Sequence, residues 1–127
     1  MKCTHVALQV RGIERSIAFY RRYCGLRVVH DRTEDFRVVW LAWTEPPQFV
    51  IVLLHAPYER NEQPPWQHVG IAVDRREQVD QVYARAADDP AAQHWPPRDA
   101  GPIVGYYCAL RDPDGNTIEF SHGQRIG

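Results

Sequence analysis

Cysteine, lysine and methionine are scarce in this chain of 127 residues, which has three cysteines, one methionine and a single lysine, Lys2. The cysteines, Cys3, Cys24 and Cys108, are odd in number and form no C-x-x-C pair. This argues against a disulfide framework and predicts reduced thiols. Because the sequence also starts with a strand-like alternation and no signal-peptide cleavage pattern, we expect a cytoplasmic protein.

Excess charge and long apolar runs are also missing. The 15 basic and 16 acidic residues leave a formal net charge of -1, so the chain has no basic footprint of the kind that binds nucleic acid. No apolar run approaches the roughly 20 residues that a membrane-spanning helix needs. We therefore expect neither nucleic acid nor a membrane as a partner. The length and the 44% content of hydrophobic residues fit one globular domain over residues 1–127.

One stretch of sequence occurs twice: HVALQV at residues 5–10 returns as HVGIAV at residues 68–73, 63 residues later. In both copies every second residue is apolar, and the residues between them begin with the histidine. Such alternation is typical of a strand with one buried face. After the first copy a helical period runs from Ile13 to Gly25, where glycine supplies a stop. A helical stripe follows the second copy at the same offset. The repeat indicates an internal duplication.

Three further strand candidates follow each predicted helix. They are LRVVHD, FRVVWLAW and QFVIVLLH in the first half, and AQHWP, VGYYCALR and NTIEFSH in the second. The turn DPDG joins the last two. The sequence therefore predicts an α+β fold of two tandem βαβββ modules: module one over residues 4–55, a linker over 56–66, and module two over 67–122. Asp74 and Glu77 are expected to cap the second helix.

The best candidates for chemistry are His5 and His68, which head the duplicated strands, and Glu119, which alternates with apolar neighbours near the C-terminus. If the duplicated sheets curve around a common cavity, two imidazoles and one carboxylate can converge there. This donor set binds a divalent metal and leaves coordination positions open for a substrate. Taken singly, such residues are more often structural or solvated. Their paired context favours a metal site.

The stretches HVALQV, SIAFYRRYCGL, HVGIAV and DPDGNTIEF resemble the vicinal oxygen chelate superfamily. This superfamily includes glyoxalase I, extradiol dioxygenases, fosfomycin-resistance enzymes and bleomycin-resistance proteins. The resemblance, from about Thr4 to His122, implies a curved mixed sheet around a metal, commonly in a homodimer whose sites draw ligands from both chains. It matches His5, His68 and Glu119 to the family's metal ligands and implies a divalent ion, Fe2+, Mn2+, Ni2+ or Zn2+.

One position departs from the glyoxalase I pattern, in which the strand that closes module one carries a further glutamate. Val52 aligns with that position, and this weakens the glyoxalase interpretation. Dioxygenase relatives place additional acid-base histidines and tyrosines around the substrate. The candidates for that role are Tyr106, Tyr107, His55 and His122, and strand alternation lets only one of the two tyrosines face the cavity.

We therefore expect a metal-dependent enzyme that chelates a small oxygenated substrate. The resemblance leaves open a dioxygenase, a lyase or isomerase, or, with less support, a thiol transferase. The alternative class is a metal-free small-molecule binding protein of the bleomycin-resistance kind, and a third interpretation is a dimeric domain whose histidines merely line the cavity. Four tryptophans are candidates for an apolar substrate pocket: Trp40, Trp43, Trp66 and Trp95.

Overall fold

The computed structural model describes residues 1–57 and 63–126. Contacts divide the chain into two compact units, Met1–Asn61 and Glu62–Gly127. The boundary falls in the predicted linker over 56–66, of which residues 58–62 lie outside the described residues. Each unit has a helix packed against a four-stranded mixed sheet, so the predicted α+β fold of paired βαβββ modules is confirmed.

The first unit places its strands in the spatial order β1-β4-β3-β2. Its elements are β1 (His5–Gln9), α1 (Ile13–Cys24), β2 (Arg27–Thr33), β3 (Arg37–Ala42) and β4 (Val50–His55). Strands β1 and β4 run parallel, whereas the two other neighbouring pairs are antiparallel. A parallel pair needs a long connection, which α1 and the β2–β3 hairpin supply.

Helix α1 begins and ends where the sequence pattern predicts. Ile13, Ile17 and Tyr20 are buried and form its apolar stripe. Gly25 adopts a φ of 65°, and its N–H donates to the carbonyl of Arg21. Glycine has no Cβ and so enters this left-handed conformation without steric cost, which ends the helix cleanly.

The first sheet buries side chains on both faces. Val39, Leu41, Ile51 and Leu53 share one face and are at most 1% exposed. The other face has a separate apolar cluster formed by Val38, Ala42, Val50 and Val52, with Trp40 and Leu54 packed against it. His5 belongs to this second face, because it pairs with Val50 in the β1–β4 ladder and Ala7 pairs with Val52.

The second unit repeats the arrangement in the order β5-β8-β7-β6, with β5 and β8 parallel. Its elements are β5 (His68–Ala72), α2 (Arg76–Arg85), β6 (Gln93–Asp99), α3 (Gly101–Val104), β7 (Tyr106–Arg111) and β8 (Thr117–His122). Val79 and Val82 of α2 are buried, and this helix contacts β6, β7 and β8. Within the described part of the chain, no helix has both the length and the apolar character needed to cross a membrane.

Three details of the second unit differ from the sequence-based expectation. The predicted capping pair Asp74 and Glu77 is wrong: α2 begins at Arg76, and the Gln78 side chain accepts the backbone N–H of Arg75 at 2.8 Å. Strand β6 continues to Asp99 through two prolines, which an irregular edge strand tolerates. The single turn of helix α3 was not predicted.

The turn before β8 forms as predicted and is organised by Asp112. Its Oδ1 atom accepts the backbone N–H groups of Asp114 and Asn116, both at 2.9 Å. Aspartate side chains commonly stabilise turns by bonding to backbone groups two or more residues later. This turn sets the register with which β8, and therefore Glu119, enters the sheet.

Two glycines with positive φ angles offer a test of the fold. Gly105 and Gly115 have φ angles of 82° and 86°, but a Cβ on Gly105 would lie 2.3 Å from the carbonyl oxygen of His122, whereas one on Gly115 would meet nothing within 4 Å. We expect Gly105→Ala to lower the free energy of unfolding by about 3 kcal/mol or more and Gly115→Ala by about 1 kcal/mol, since only the first adds a backbone clash to left-handed strain. Urea denaturation measures both, and equal losses would contradict the close approach at Gly105.

Candidate metal centre

Glu119 lies in the middle of one face of the second sheet. Its neighbours in the ladders are Gly70 on β5 and Ala109 on β7, and Ala109 in turn pairs with Trp95 on β6. The small neighbours leave space around the carboxylate, whose side chain is only 7% exposed. A buried carboxylate is costly unless hydrogen-bond donors or a cation compensate for its lost hydration.

The two carboxylate oxygens of Glu119 have different neighbours. Oε1 accepts a hydrogen bond from Nε2 of Gln124 at 2.8 Å. Oε2 lies 3.5 Å from Nε2 of His68. Gln124 follows Gly123, whose φ of 79° turns the chain after β8 and brings the amide back to the strand that it has just left. One oxygen is thus held by the protein, and the other faces an imidazole.

The contacts of His68 determine which of its ring nitrogens carries the proton. Nδ1 lies 2.8 Å from the backbone carbonyl of Trp66. Because a carbonyl oxygen can only accept, Nδ1 is the protonated nitrogen. In the neutral ring Nε2 then has a free electron pair, and its partner across 3.5 Å is Oε2 of Glu119. Two electron-pair donors that face each other are stabilised by a cation or a proton between them.

The first sheet has the same register but a different side chain at the carboxylate position. His5 pairs with Val50 as His68 pairs with Thr117, and Ala7 pairs with Val52 as Gly70 pairs with Glu119. Val52 therefore occupies the position that Glu119 occupies in the second sheet. His5 is exposed, and its Nδ1 lies 3.0 Å from the hydroxyl of Thr4. At these matched positions the first sheet has a histidine and a valine, and the second has a histidine and a glutamate.

The structure brings two of the three predicted ligands together. His68 and Glu119 are neighbours in the second unit, and His5 belongs to the first. Among residues 1–57 and 63–126, no three histidine, cysteine, aspartate or glutamate side chains form a group that could hold a metal ion. The participation of His5 in a shared site stays a prediction.

The two candidate tyrosines lie on opposite faces of the second sheet. The hydroxyl of Tyr106 donates to Asp80 of α2, which places Tyr106 on the helix side and raises the pKa of its phenol. Tyr107 pairs with Ser121, so it shares a face with Glu119, and its ring centre lies 6.3 Å from that of Trp95. Tyr107 is therefore the tyrosine on the candidate face.

The other two candidate histidines lie away from the faces that carry His5 and Glu119. His55 is exposed at the end of β4, where strand alternation places it opposite Val52, and it lines a separate groove. His122 pairs with Tyr106, and its Nδ1 lies 3.2 Å from the carbonyl of Val73. His55 is therefore not on the His5 face of its sheet, and His122 is not on the Glu119 face of its own.

Sequence reasoning missed how His68 is surrounded. The ring of Trp95 lies 5.7 Å from those of His68 and Trp66 and 5.0 Å from that of His94, and burial lowers the pKa of His94. The sequence pattern marks the tryptophans only as general pocket candidates. Gln124 left no signal in the sequence, since nothing in the local pattern reports a turn that folds back onto β8.

Comparisons with known proteins agree with this architecture. The chain matches the family model for the Glyoxalase/Bleomycin resistance protein/Dioxygenase superfamily over residues 2–120. It is 43% identical to an uncharacterised protein of Pseudomonas aeruginosa, covering 98% of this chain and 90% of that protein. It is 28% identical to the lactoylglutathione lyase of Haemophilus influenzae, covering 94% and 91%. A glyoxylase/bleomycin resistance protein/dioxygenase domain from Frankia sp. EAN1pec has the same fold, with a TM-score of 0.78, 20% identity and coverage of 100% and 95%.

The His68 contacts predict the tautomer of its ring. We expect the neutral imidazole to carry its proton on Nδ1, because the Trp66 carbonyl accepts it. Long-range 1H–15N NMR of the imidazole nitrogens, recorded on chelator-treated protein, measures this directly. The Glu119→Gln variant should keep the same tautomer, since it leaves the carbonyl in place. A neutral ring protonated on Nε2 would contradict the assignment, because that nitrogen would then donate to Glu119.

Proposed function

This chain belongs to the Glyoxalase/Bleomycin resistance protein/Dioxygenase superfamily, and from that premise we propose that it is a metal-dependent enzyme acting on a small oxygenated substrate. In this proposal His5, His68 and Glu119 hold one divalent ion. The observation that carries it is the approach of His68 Nε2 to the buried Glu119 carboxylate at 3.5 Å. Neither group has a proton to offer the other when the imidazole is neutral, so the pair suits a cation.

The chemistry of the donor set fits the proposed ion. Imidazole nitrogen together with carboxylate oxygen suits Fe2+, Mn2+, Ni2+ or Zn2+ better than Mg2+ or Ca2+, which prefer oxygen ligands alone. When bound, such an ion supplies Lewis acidity to two adjacent substrate oxygens. Three protein ligands leave coordination positions for those oxygens. Val52 supplies no fourth ligand, which favours a dioxygenase over a glyoxalase-type isomerase.

Residues around the ligands hold them in coordinating orientations. The Trp66 carbonyl and the Thr4 hydroxyl each engage Nδ1 of the neighbouring histidine, which leaves Nε2 of both rings available. Outer hydrogen bonds of this kind fix the ring orientation of metal-binding histidines. Gln124 does the same for Glu119 by binding Oε1 and leaving Oε2 for the ion.

The proton-transfer role falls to Tyr107 in this proposal. It shares the Glu119 face, and the Trp95 ring beside it also packs against the ring of His68. Tyr106 and His55 are not assigned a role, since one bonds to α2 and the other lies on the opposite face of its sheet. We also propose a homodimer, in which a second copy is one source of the His5 that completes each site.

The metal site predicts stoichiometric binding that depends on all three ligands. We expect about one divalent ion per chain after purification without chelator or affinity metal. His5→Gln, His68→Gln and Glu119→Gln should each raise the dissociation constant for the ion by about 100-fold or more, because each removes a direct ligand. Elemental analysis and metal titration measure these quantities.

His55→Gln is the matched control, since it removes an exposed histidine from the opposite face and should leave metal content unchanged. If the wild-type chain stays empty after incubation with each candidate ion, the metalloenzyme proposal is wrong. The metal-free small-molecule binding protein would then be the better interpretation.

Loss of the Gln124 contact should weaken metal binding less than loss of a metal ligand does. Gln124→Leu should raise the metal dissociation constant by about tenfold, because the Glu119 carboxylate loses the hydrogen bond that orients it. The neighbouring substitution Arg125→Gln should not change it. Metal titration of both variants, with circular dichroism to check the fold, tests this role. An unchanged dissociation constant in Gln124→Leu would rule out positioning by Gln124.

A further inference from the structure

A cavity of about 540 Å³ lies on the His5 face of the first sheet. Val38, Val52 and Leu54 line it from the strands, and Trp40 and Phe49 contribute aromatic rings. Small-molecule sites in proteins are typically concave, mostly apolar and about 300–1,000 Å³ in volume. This cavity therefore has the size and lining of a site for a small organic molecule.

Part of the apolar lining lies at the position where the second sheet has a carboxylate. Val52 occupies the register position that Glu119 occupies in the second sheet, and it is 8% exposed within an apolar cluster. A charged side chain there would be costly without a partner. Since His5 lines the same cavity, an apolar group bound against Val52 lies beside the proposed metal ligand. The first sheet is thus suited to hold the apolar part of a ligand.

The charges around the cavity have one sign. Among the described residues that line it, Lys2 and Arg32 are basic and none is acidic. The guanidinium carbon of Arg32 lies 5.7 Å from the centre of the Trp40 ring, and its Nε is 3.3 Å from Glu34. The Glu34 side chain is 73% exposed, and such surface ion pairs contribute little. A ligand anion can therefore replace Glu34 as the partner of Arg32.

We propose that this cavity binds a small aromatic acid: a ring system that packs against Trp40 and Phe49 and one anionic group that pairs with Arg32. As a substrate class this rests on the proposed function, because His5 links the cavity to the metal, whereas binding itself needs no metal. Large polar or multiply charged molecules do not match the apolar walls. The aromatic ring and the single anion are the two features that the site selects.

Two probes separate these features: 2-naphthoate and its uncharged analogue 2-naphthalenemethanol. Isothermal titration of the full chain after chelator treatment should show saturable binding of 2-naphthoate with a dissociation constant of about 1 mM or tighter. Arg32→Gln should weaken 2-naphthoate about tenfold and leave 2-naphthalenemethanol unchanged, because only the acid uses the guanidinium. Arg27→Gln, an exposed arginine on the same strand that does not line the cavity, should change neither.

Methyl NMR of the same samples locates the probe. Shifts confined to the methyl groups that line the cavity would support binding there; these belong to Ala7, Val38, Val50, Val52 and Leu54. No saturable binding, shifts elsewhere, or an equal loss in Arg27→Gln and Arg32→Gln would overturn the proposal. Because Glu119→Gln should still bind 2-naphthoate, failure of metal binding and failure of aromatic-acid binding are separate results. If the metal site stays empty while 2-naphthoate still binds, only the metalloenzyme proposal is wrong.

Discussion

The carboxylate of Glu119 lies in the middle of a sheet face and is nearly removed from water. Neighbouring parts of the second unit compensate for its lost hydration. Small residues on both neighbouring strands leave it room, Gln124 donates to one oxygen, and His68 faces the other. These contacts order the carboxylate and leave Oε2 facing the imidazole. The Asp112 turn, which starts β8, and the Gly123 turn, which ends it, hold this geometry from both sides.

In both units the first and last strands pair in parallel with the same register. Some equivalent positions in the two units nonetheless carry different side chains. In each unit a histidine opens the first strand, and a small residue two positions later faces the last strand. At that facing position the second unit has Glu119 and the first has Val52. One backbone arrangement therefore supports a histidine–glutamate pair in one unit and an apolar cavity in the other.

Two residues of reactive types, Tyr106 and Cys108, lie on the helix-facing side of the second sheet, opposite the face of Glu119. Tyr106 bonds to Asp80, and the Cys108 thiol donates to the carbonyl of Val79. Burial raises the pKa of the Cys108 thiol to about 12, so it stays protonated and unreactive near neutral pH. These side chains fasten α2 to the sheet, while Tyr107 and Glu119 share the other face.

The sequence by itself determined the duplicated βαβββ order, the bounds of α1 and the strand positions of His5, His68 and Glu119. Each of these follows from local periodicity, which reports how a side chain alternates or recurs along its own element. Only the tertiary structure decided the irregular course of β6 and which of the two tyrosines shares the Glu119 face. It also decided the hydrogen bond from Gln124 to Glu119 and the tautomer of His68. These depend on hydrogen bonds and packing between segments that register and turns bring together, and no period within one segment encodes such contacts.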